Sequence, residues 1–239
     1  FRSMSYFSQG SWYKELVEGI AFYQFLCAIL KDYDTRKTEI IHKLQTIGQK
    51  IFRKAYLMAD MTVDHEGMQI CTKPLVSFAG KLYTAPMSAV DCAVKTIGTC
   101  PRHNEAFITS GMVQYNACVG NFGGSGMAYS GSMNVLKNVL GNEYLWNNVR
   151  VKGGAYGCMC GFAPSGNGYF TSYRDPNLEK TMEIYEGVVD YLKNFDIDDR
   201  DMNKFIIGTI SNLDRPMNPA AKGSRSLNLY MNRITEEMI

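Results

Sequence analysis

The sequence lacks the features that would place it in a membrane or on nucleic acid. No stretch approaches about 18 uninterrupted apolar residues, and the most apolar segment, 20–30, is interrupted by Gln24 and followed by Lys31 and Asp32. The 25 Lys and Arg residues nearly balance the 23 Asp and Glu residues, so the net charge of +2 provides no basic stripe that would neutralise many phosphates. We therefore expect neither a membrane span nor a nucleic-acid partner.

The sequence also lacks paired cysteines. Its seven cysteines are an odd number and stand singly, apart from Cys158-Met159-Cys160, so it contains no disulfide framework and no Cys-x-x-Cys metal motif. We expect reduced thiols, and hence a reducing compartment such as a bacterial cytoplasm or an organelle matrix. No basic segment followed by an apolar one begins the sequence, so we expect no signal peptide in this chain.

The apolar pattern predicts an α+β protein of 239 residues, long enough for one large core or two modest ones. Apolar residues that recur every three or four positions predict helices, and shorter apolar runs predict strands. The predicted helices cover 12–30, 40–52, 65–82, 129–146, 176–195, 199–213 and 219–238, and the predicted strands cover 55–63, 107–119, 155–163 and 168–173. The last two strands are separated by Pro164-Ser165-Gly166-Asn167, which predicts a hairpin.

Local signals mark two helix starts and one domain boundary. Asp64 precedes the 65–82 helix, where its carboxylate can accept backbone N–H groups of the first turn. Asp175-Pro176 precedes the 176–195 helix, and a proline at the first helical position gives up an N–H that would be unpaired there. Turn-forming residues are dense between 83 and 104, and we place a domain boundary within this stretch.

The sequence contains a weak internal repeat. Ser5-Tyr6 precedes a helix with Glu18-Gly19-Ile20, and Ser172-Tyr173 precedes a helix with Glu186-Gly187-Val188. If these are related units, the chain begins inside one unit and ends inside the next. The repeat predicts that the two helices pack in equivalent positions against two sheets of like topology.

Two motifs invite a ligand-binding interpretation. Glycines in the stretch 120–126 can let backbone N–H groups close around a phosphate, but Tyr129 stands where a dinucleotide motif needs its third glycine. We favour a tight strand-to-helix turn, and a nucleotide-binding module stays an alternative. His65-Glu66-Gly67-Met68-Gln69 is one residue short of a zincin helix, because Gln69 replaces the second histidine ligand. We therefore expect a capped helix start there and no zinc site.

The strongest chemical signal lies in the segment 144–157. It combines a helix end, Arg150, a flexible diglycine and Tyr156 at the entry to a strand. An arginine and a tyrosine held by glycines can hydrogen-bond a peptide carbonyl or a developing oxyanion with little steric obstruction. A surface arginine and a half-buried strand tyrosine are the alternative interpretation of the same two residues.

This segment and the later Ser172-Tyr173-Arg174-Asp175-Pro176 resemble the C-terminal half of the insulinase-type (pitrilysin, M16) zinc metallopeptidases, most closely the presequence-protease and falcilysin branch. The family motif Leu-Trp-x-x-Val-Arg-x-x-Gly-Gly-Ala-Tyr-Gly is matched by residues 145–157. The resemblance implies M16-like (LuxS/MPP-like) domains, each a mostly antiparallel sheet with helices packed on one face. Residues 1–88 would form the C-terminal part of the third such domain, and residues 89–239 most of the fourth.

The resemblance also implies functional residues. In such enzymes an arginine and a tyrosine of the second half meet the substrate, and by motif position these are Arg150 and Tyr156 as catalytic residues. Gly153, Gly154 and Ala155 would contact the substrate. The zinc of these enzymes lies in the N-terminal half, on an inverted His-x-x-Glu-His helix that this sequence does not contain.

From the resemblance we expect the parent protein to be a zinc-dependent peptidase that degrades short unfolded peptides in a closed chamber. The expected partners of this chain are the peptide substrate and the N-terminal catalytic half of the same protein. The chain itself should bind no zinc and should be inactive alone. A non-catalytic structural M16-like subunit is the alternative.

Overall fold

The computed structural model describes residues 2–85, 97–101 and 105–235. The chain divides into two compact units, Phe1–Tyr23 with Ile97–Arg215 and Gln24–Thr96 with Pro216–Ile239. The predicted domain boundary between residues 88 and 89 lies outside the described residues and stays a prediction.

Helices dominate the described residues, and with one antiparallel sheet they confirm the α+β class. A π-helix, Leu140–Lys152, follows the fifth α-helix, and short 3-10 helices cover Ser3–Tyr6, Lys54–Tyr56 and Gly123–Ser125. None of the helices in this part of the chain has the length and apolar character that a membrane span requires. The α-helices are α1 Gln9–Glu18, α2 Ile20–Lys31, α3 Tyr33–Ile51, α4 His65–Gly80, α5 Ser132–Val139, α6 Glu179–Glu186, α7 Val188–Lys193, α8 Asp199–Leu213 and α9 Pro219–Asn232.

Several helices begin at a polar side chain that accepts a backbone N–H of the first turn. Asp64 accepts the Gly67 N–H at 2.7 Å, which confirms the predicted start of α4. Asp198 and Asn218 cap α8 and α9 in the same way, each at 2.8 Å. These caps satisfy donors that the helices cannot satisfy internally, so the helix starts are fixed by the local sequence.

Two of the predicted helices are each divided at a glycine. The 12–30 helix is broken at Gly19, between α1 and α2, and the 176–195 helix at Gly187, between α6 and α7. At both positions a side chain fills the space that a Cβ would need: the Glu15 carboxyl at Gly19, and the Tyr144 hydroxyl, 2.7 Å from the Cβ position, at Gly187. Because Gly19 and Gly187 are the matching glycines of the internal repeat, the two halves of the repeat share this break.

Other predictions of local structure are wrong. Residues 55–63 form no strand. Among the described residues, the backbone pairing near them is one isolated bridge between Arg53 and Tyr83, so no neighbouring strand satisfies their backbone groups. Helix α6 begins at Glu179 instead of 176, because Asp175 is buried in side-chain contacts and does not cap the helix. The Ser-Tyr pairs of the repeat also differ, since the first lies in a 3-10 helix and the second in a strand.

The sheet consists of β1 Gln114–Asn121, β2 Gly157–Phe162 and β3 Asn167–Asp175, in the order β1-β3-β2 with both pairs antiparallel. Strands β2 and β3 form the predicted hairpin. Strand β1 begins later than the predicted 107–119 run and pairs with the other side of β3. Because Gly157 is opposite Tyr173, the first residue of β2 lies beside the end of β3.

The hydrophobic core of the unit that contains the sheet lies on one face of the sheet. Phe170, on β3, is flanked there by Cys118 of β1 and Cys160 of β2, and it stacks on Tyr185 of α6 with ring centroids 5.6 Å apart. The opposite face carries exposed side chains such as Met159, which is 52% exposed. Helices therefore cover one face of the sheet, as the sequence predicts. The buried core residues are Leu140, Leu145, Val149, Ala155, Cys160, Tyr185 and Val188.

Candidate functional site

Arg150 lies near the end of the π-helix Leu140–Lys152. Its guanidinium is over the Trp146 ring, 4.6 Å from the ring centroid. This cation–π contact orients the guanidinium without neutralising its charge. Among the described residues Arg150 makes no ion pair, so its charge remains available to a ligand. Long π-helical segments are rare, and π-helical turns recur at functional sites.

Two glycines follow the π-helix, and each is required for a different reason. Gly153 has ordinary right-handed dihedral angles, but a Cβ there would lie 2.5 Å from the Val149 carbonyl oxygen and 2.9 Å from that of Asn148. Gly154 has space for a Cβ but a φ of +82°, which L-residues rarely adopt. Both glycines lie in the short connection between the π-helix and β2.

The base of this diglycine loop is fixed by backbone hydrogen bonds. The Gly154 N–H donates to the Arg150 carbonyl at 3.0 Å, and the Ala155 N–H donates to the Val149 carbonyl at 3.2 Å. Ala155 belongs to the buried core and is 3% exposed. The loop is therefore anchored directly before Tyr156.

Tyr156 is 58% exposed and precedes β2. Its ring meets the Tyr173 ring edge-on, with centroids 5.4 Å apart, and the Arg174 guanidinium lies 5.5 Å from the Tyr156 ring centroid. The Tyr156 N–H donates to the Arg174 carbonyl at 3.3 Å. No described residue hydrogen-bonds the Tyr156 hydroxyl, which can therefore donate to a ligand.

Arg150 and Tyr156 lie at the two ends of one short, anchored loop. Within the described residues the two side chains form no hydrogen bond or ring contact with each other, because Arg150 packs on Trp146 and Tyr156 on Tyr173. The catalytic roles predicted for Arg150 and Tyr156, and the substrate contacts predicted for Gly153, Gly154 and Ala155, stay predictions.

The turn after β3 is built around the fully buried carboxylate of Asp175. Its Oδ2 accepts from the Ser172 hydroxyl at 2.6 Å, from the Thr181 hydroxyl at 2.8 Å and from Asn116 Nδ2 at 3.1 Å. Its Oδ1 accepts from the Asn177 N–H at 2.9 Å. Four donors thus satisfy a buried carboxylate that has no cation partner among the described residues.

This turn is also joined to the diglycine loop. Asn177 Nδ2 donates to the Gly153 carbonyl at 2.6 Å, and the Asn177 carbonyl accepts from Asn116 Nδ2 at 2.7 Å. Arg174, the residue of β3 that precedes Asp175, has a φ of +48°. Non-glycine residues rarely adopt this conformation, and such strain clusters at functional sites.

The functional interpretation of the sequence missed Asp175 and Asn177. Asp175 belongs to the motif that carries the family resemblance and Asn177 lies two residues after it, but the Asp-Pro pair predicts a helix start. Their contacts with Asn116 join positions 59 and 61 residues apart, and no local pattern shows such contacts.

The exposed sheet face beside Tyr156 is rich in aromatic side chains. Tyr115 on β1 is 67% exposed and Tyr169 on β3 is 37% exposed, and Met159 lies on the same face on the edge strand β2, opposite Thr171. Gly157 and Gly161 of β2 leave room for the rings of Tyr173 and Tyr169, which lie where a Cβ would be. Tyrosine and methionine side chains combine apolar contact with adaptability, so this face can pack against groups of varied shape.

Burial disfavours ionisation of the two thiols near this site, Cys158, which is partly buried, and Cys160, which is buried. Burial raises the pKa of the Cys158 thiol, and the nearby Arg150 charge opposes this shift. Burial raises the pKa of Cys160 to about 11. The thiolate is the nucleophile and metal ligand, so neither cysteine is suited to those roles near neutral pH. The six described cysteines are free.

The glycine-rich stretch 120–126 has its backbone N–H groups engaged within the protein. The Gly124 N–H donates to Asn121 Oδ1 at 2.7 Å, and the N–H groups of Phe122, Ser125, Gly126 and Met127 donate to backbone carbonyls. A phosphate-binding loop needs these donors directed at its ligand. This arrangement favours the structural turn over the nucleotide site.

The zincin-like segment begins α4. His65 Nε2 lies 3.2 Å from Gln69 Nε2, and both side chains are exposed. Across the described residues, no three His, Cys, Asp or Glu side chains are grouped so that they could hold a metal ion. These residues therefore do not fit a zinc site of their own.

Comparison with protein families identifies one match. The model of the PreP C-terminal domain matches residues 104–238, which include the π-helix, the diglycine loop, the sheet and the turn after β3.

Several relatives match almost the whole chain, and others match about half of it. Protein HypA of Clostridium perfringens is 34% identical over 98% of this chain, and Presequence protease 1, chloroplastic/mitochondrial, of Arabidopsis thaliana is 34% identical over 95%. The mitochondrial presequence protease of Emericella nidulans is 36% identical over 46% of the chain. The chain spans 23%, 21% and 10% of the lengths of these three proteins, respectively.

Proposed function

This chain belongs to the family of PreP C-terminal domains, the C-terminal part of presequence proteases, and from that membership we propose that the intact protein is a peptidase to which this chain contributes Arg150 and Tyr156. The observation that supports these roles best is the anchored loop between the two residues. It presents a hydroxyl without a partner at one end and an arginine without an ion pair at the other, within the described residues.

Tyr156 is the proposed oxyanion donor. A phenol is a neutral O–H donor, and it can approach a peptide carbonyl oxygen as that oxygen gains negative charge. Packing against Tyr173 and the bond from its N–H to the Arg174 carbonyl limit the motion of the ring. Such preorganisation is what makes an oxyanion donor effective.

Arg150 is the proposed binding residue for substrate carbonyls. Its guanidinium remains charged and presents several donors, and Trp146 limits its conformations. It therefore interacts with a peptide before and during the reaction. Gly153 and Gly154 keep the loop narrow beside the bound peptide and contribute substrate contacts, whereas Ala155, which is 3% exposed, supports the loop from the core.

The zinc that the family resemblance implies would be held by residues outside this chain. It would supply the Lewis acid of the peptidase reaction. The proposed partner of this chain is therefore the N-terminal catalytic half of the same protein. The proposed substrates are short unfolded peptides that enter a closed chamber, one wall of which is the tyrosine-rich sheet face. The proposed compartment is a bacterial cytoplasm or an organelle matrix.

Peptide-cleavage kinetics on the intact protein test this proposal. Replacement Arg150→Ala should raise KM for a short peptide by about 10-fold or more, as expected when a hydrogen bond to a charged group is lost. Arg200 is an exposed arginine on α8, and Arg200→Ala is the matched control. It should leave kcat and KM unchanged. An intact protein with no peptidase activity would support the structural-subunit alternative and contradict the proposal.

A further inference from the structure

The turn after β3 carries a feature that the proposed roles of Arg150 and Tyr156 do not use. Asn177 directs three of its polar groups, the backbone N–H, the backbone carbonyl and the side-chain Nδ2, into one network. Its N–H donates to Asp175 Oδ1 at 2.9 Å, its carbonyl accepts from Asn116 at 2.7 Å, and its side-chain amide donates to the Gly153 carbonyl at 2.6 Å. The half-buried Asn177 side chain therefore joins the turn after β3 to the diglycine loop.

The carboxylate of Asp175 holds Asn177 where its side chain can reach the Gly153 carbonyl. The Asp175 carboxylate accepts four hydrogen bonds from within the protein. These bonds fix the end of β3, the turn and the start of α6 relative to one another. A buried polar network whose members are all hydrogen-bonded favours one arrangement of the chain around it, so we expect the turn to be rigid. The rigid turn in turn fixes the Asn177 amide.

The loop that carries Tyr156 is attached to this turn at two points. The Asn177 side chain binds the Gly153 carbonyl, and the Arg174 carbonyl accepts the Tyr156 N–H at 3.3 Å. The first attachment depends on one side chain, whereas the second is made by the backbone. Removal of the Asn177 amide therefore releases the loop at a defined point while the backbone attachment remains.

We propose that Asn177 is a positioning residue of the peptidase, which acts through its hydrogen bond to the Gly153 carbonyl and thereby sets the position of the Tyr156 hydroxyl. This inference rests on the proposed function of Tyr156. Asn177 itself does not touch the substrate. Its effect on turnover passes through the diglycine loop to Tyr156.

The position of an oxyanion donor has a large effect on rate. A misplacement of about 1 Å can reduce turnover about 100-fold, and loss of one donor reduces it about 100-fold to 1000-fold. Partial release of the loop should therefore reduce kcat by about 10-fold or more. KM should change by less than about twofold, because the lost interaction matters mainly in the transition state.

A double-mutant cycle on the intact protein separates positioning from general structural support. The four enzymes are wild type, Asn177→Ala, Tyr156→Phe and the double variant, assayed for kcat and KM on one short peptide. If Asn177 acts through the Tyr156 hydroxyl, Asn177→Ala should reduce kcat about 10-fold or more in the wild-type background but less than about twofold in the Tyr156→Phe background.

The control is Asn194→Ala, which removes a comparable side-chain bond to a backbone carbonyl, that of Asp190, at 2.8 Å. It should leave kcat unchanged. If Asn177→Ala does not fold, Asn177→Leu replaces it. Leucine is similar in size and adds no charge, but it cannot donate to the Gly153 carbonyl, and the same loss is expected.

Equal fold-losses in both backgrounds would overturn the inference, because the effect would then not pass through Tyr156. Retention of more than about half of the wild-type kcat by Asn177→Ala would overturn it as well. If Tyr156→Phe alone has wild-type turnover, the proposed function of Tyr156 fails, and the positioning role fails with it. The result for the single Tyr156→Phe variant thus distinguishes the two failures.

Discussion

Replacement of Gly153 by alanine tests how tightly the diglycine loop determines activity. The backbone of Gly153 has φ −83° and ψ −22°, so alanine meets no conformational penalty there. The added Cβ would nevertheless lie 2.5 Å from the Val149 carbonyl oxygen and 2.9 Å from that of Asn148. Both obstacles are backbone atoms of the π-helix, and they cannot rotate away as a side chain would.

The size of the effect follows from these distances. A carbon atom normally stays about 3.3 Å or more from a carbonyl oxygen, so the loop must move by somewhat less than 1 Å. Overpacking of this kind typically costs about 1 to 3 kcal/mol of unfolding free energy. Because the movement is transmitted to Tyr156, three residues later, kcat should fall by about 10-fold to 100-fold.

The assay is peptide cleavage by the intact protein, together with urea unfolding of each variant. Gly141→Ala is the matched control, since it lies in the same π-helix and a Cβ there has no neighbour within 4 Å. Gly154→Ala separates strain from crowding, because that position has space but a φ of +82°. Unchanged kcat and stability in Gly153→Ala would refute the argument that the loop is sterically fixed.

Three further predictions concern stability and metal content. Gly187→Ala would place a Cβ 2.7 Å from the Tyr144 hydroxyl and displace that hydroxyl from the Ile184 carbonyl. The free energy of unfolding, measured by urea titration, should therefore fall by about 1 to 2 kcal/mol. An unchanged urea midpoint would contradict this. The Cys160 pKa rises from 9.0 to about 11 on burial, so the stability due to its neutral thiol is complete below pH 9 and lost as the pH rises from about 9 to 11. The decline between pH 8.5 and 10 should therefore be about 1 kcal/mol smaller in Cys160→Ala, and equal slopes would be the contrary result. After dialysis against trace zinc, elemental analysis should find far less than one zinc per chain, whereas about one tightly held zinc would point to His65.

The elements that the sequence predicts well are those with local causes. The hairpin of β2 and β3 follows from two apolar runs and a turn between them, and the start of α4 follows from one capping aspartate. The breaks at Gly19 and Gly187 have a partly distant cause. At Gly187 the hydroxyl of Tyr144 occupies the space that a Cβ would need. Tyr144 lies 43 residues earlier in the sequence and is brought there by packing. Helical periodicity alone predicts an unbroken helix.

The candidate site shows the same division. Arg150, the diglycine and Tyr156 form one continuous segment, so the sequence motif identifies them directly. The turn that holds this segment depends on Asp175, whose partner Asn116 belongs to a different strand. An Asp-Pro pair is a common helix start, and this local preference hides the buried carboxylate. Local sequence patterns therefore do not predict the contacts that join Asp175 and Asn116.

The most direct test of the account is single-turnover peptide cleavage by the intact protein with Tyr156→Phe. This replacement keeps the ring and its contact with Tyr173 and removes only the hydroxyl. If that hydroxyl stabilises the oxyanion, the rate of the chemical step should fall by about 100-fold to 1000-fold with substrate affinity little changed. A rate above about half that of the wild type, in a folded protein with unchanged zinc content, would show that Tyr156 only packs beside β2.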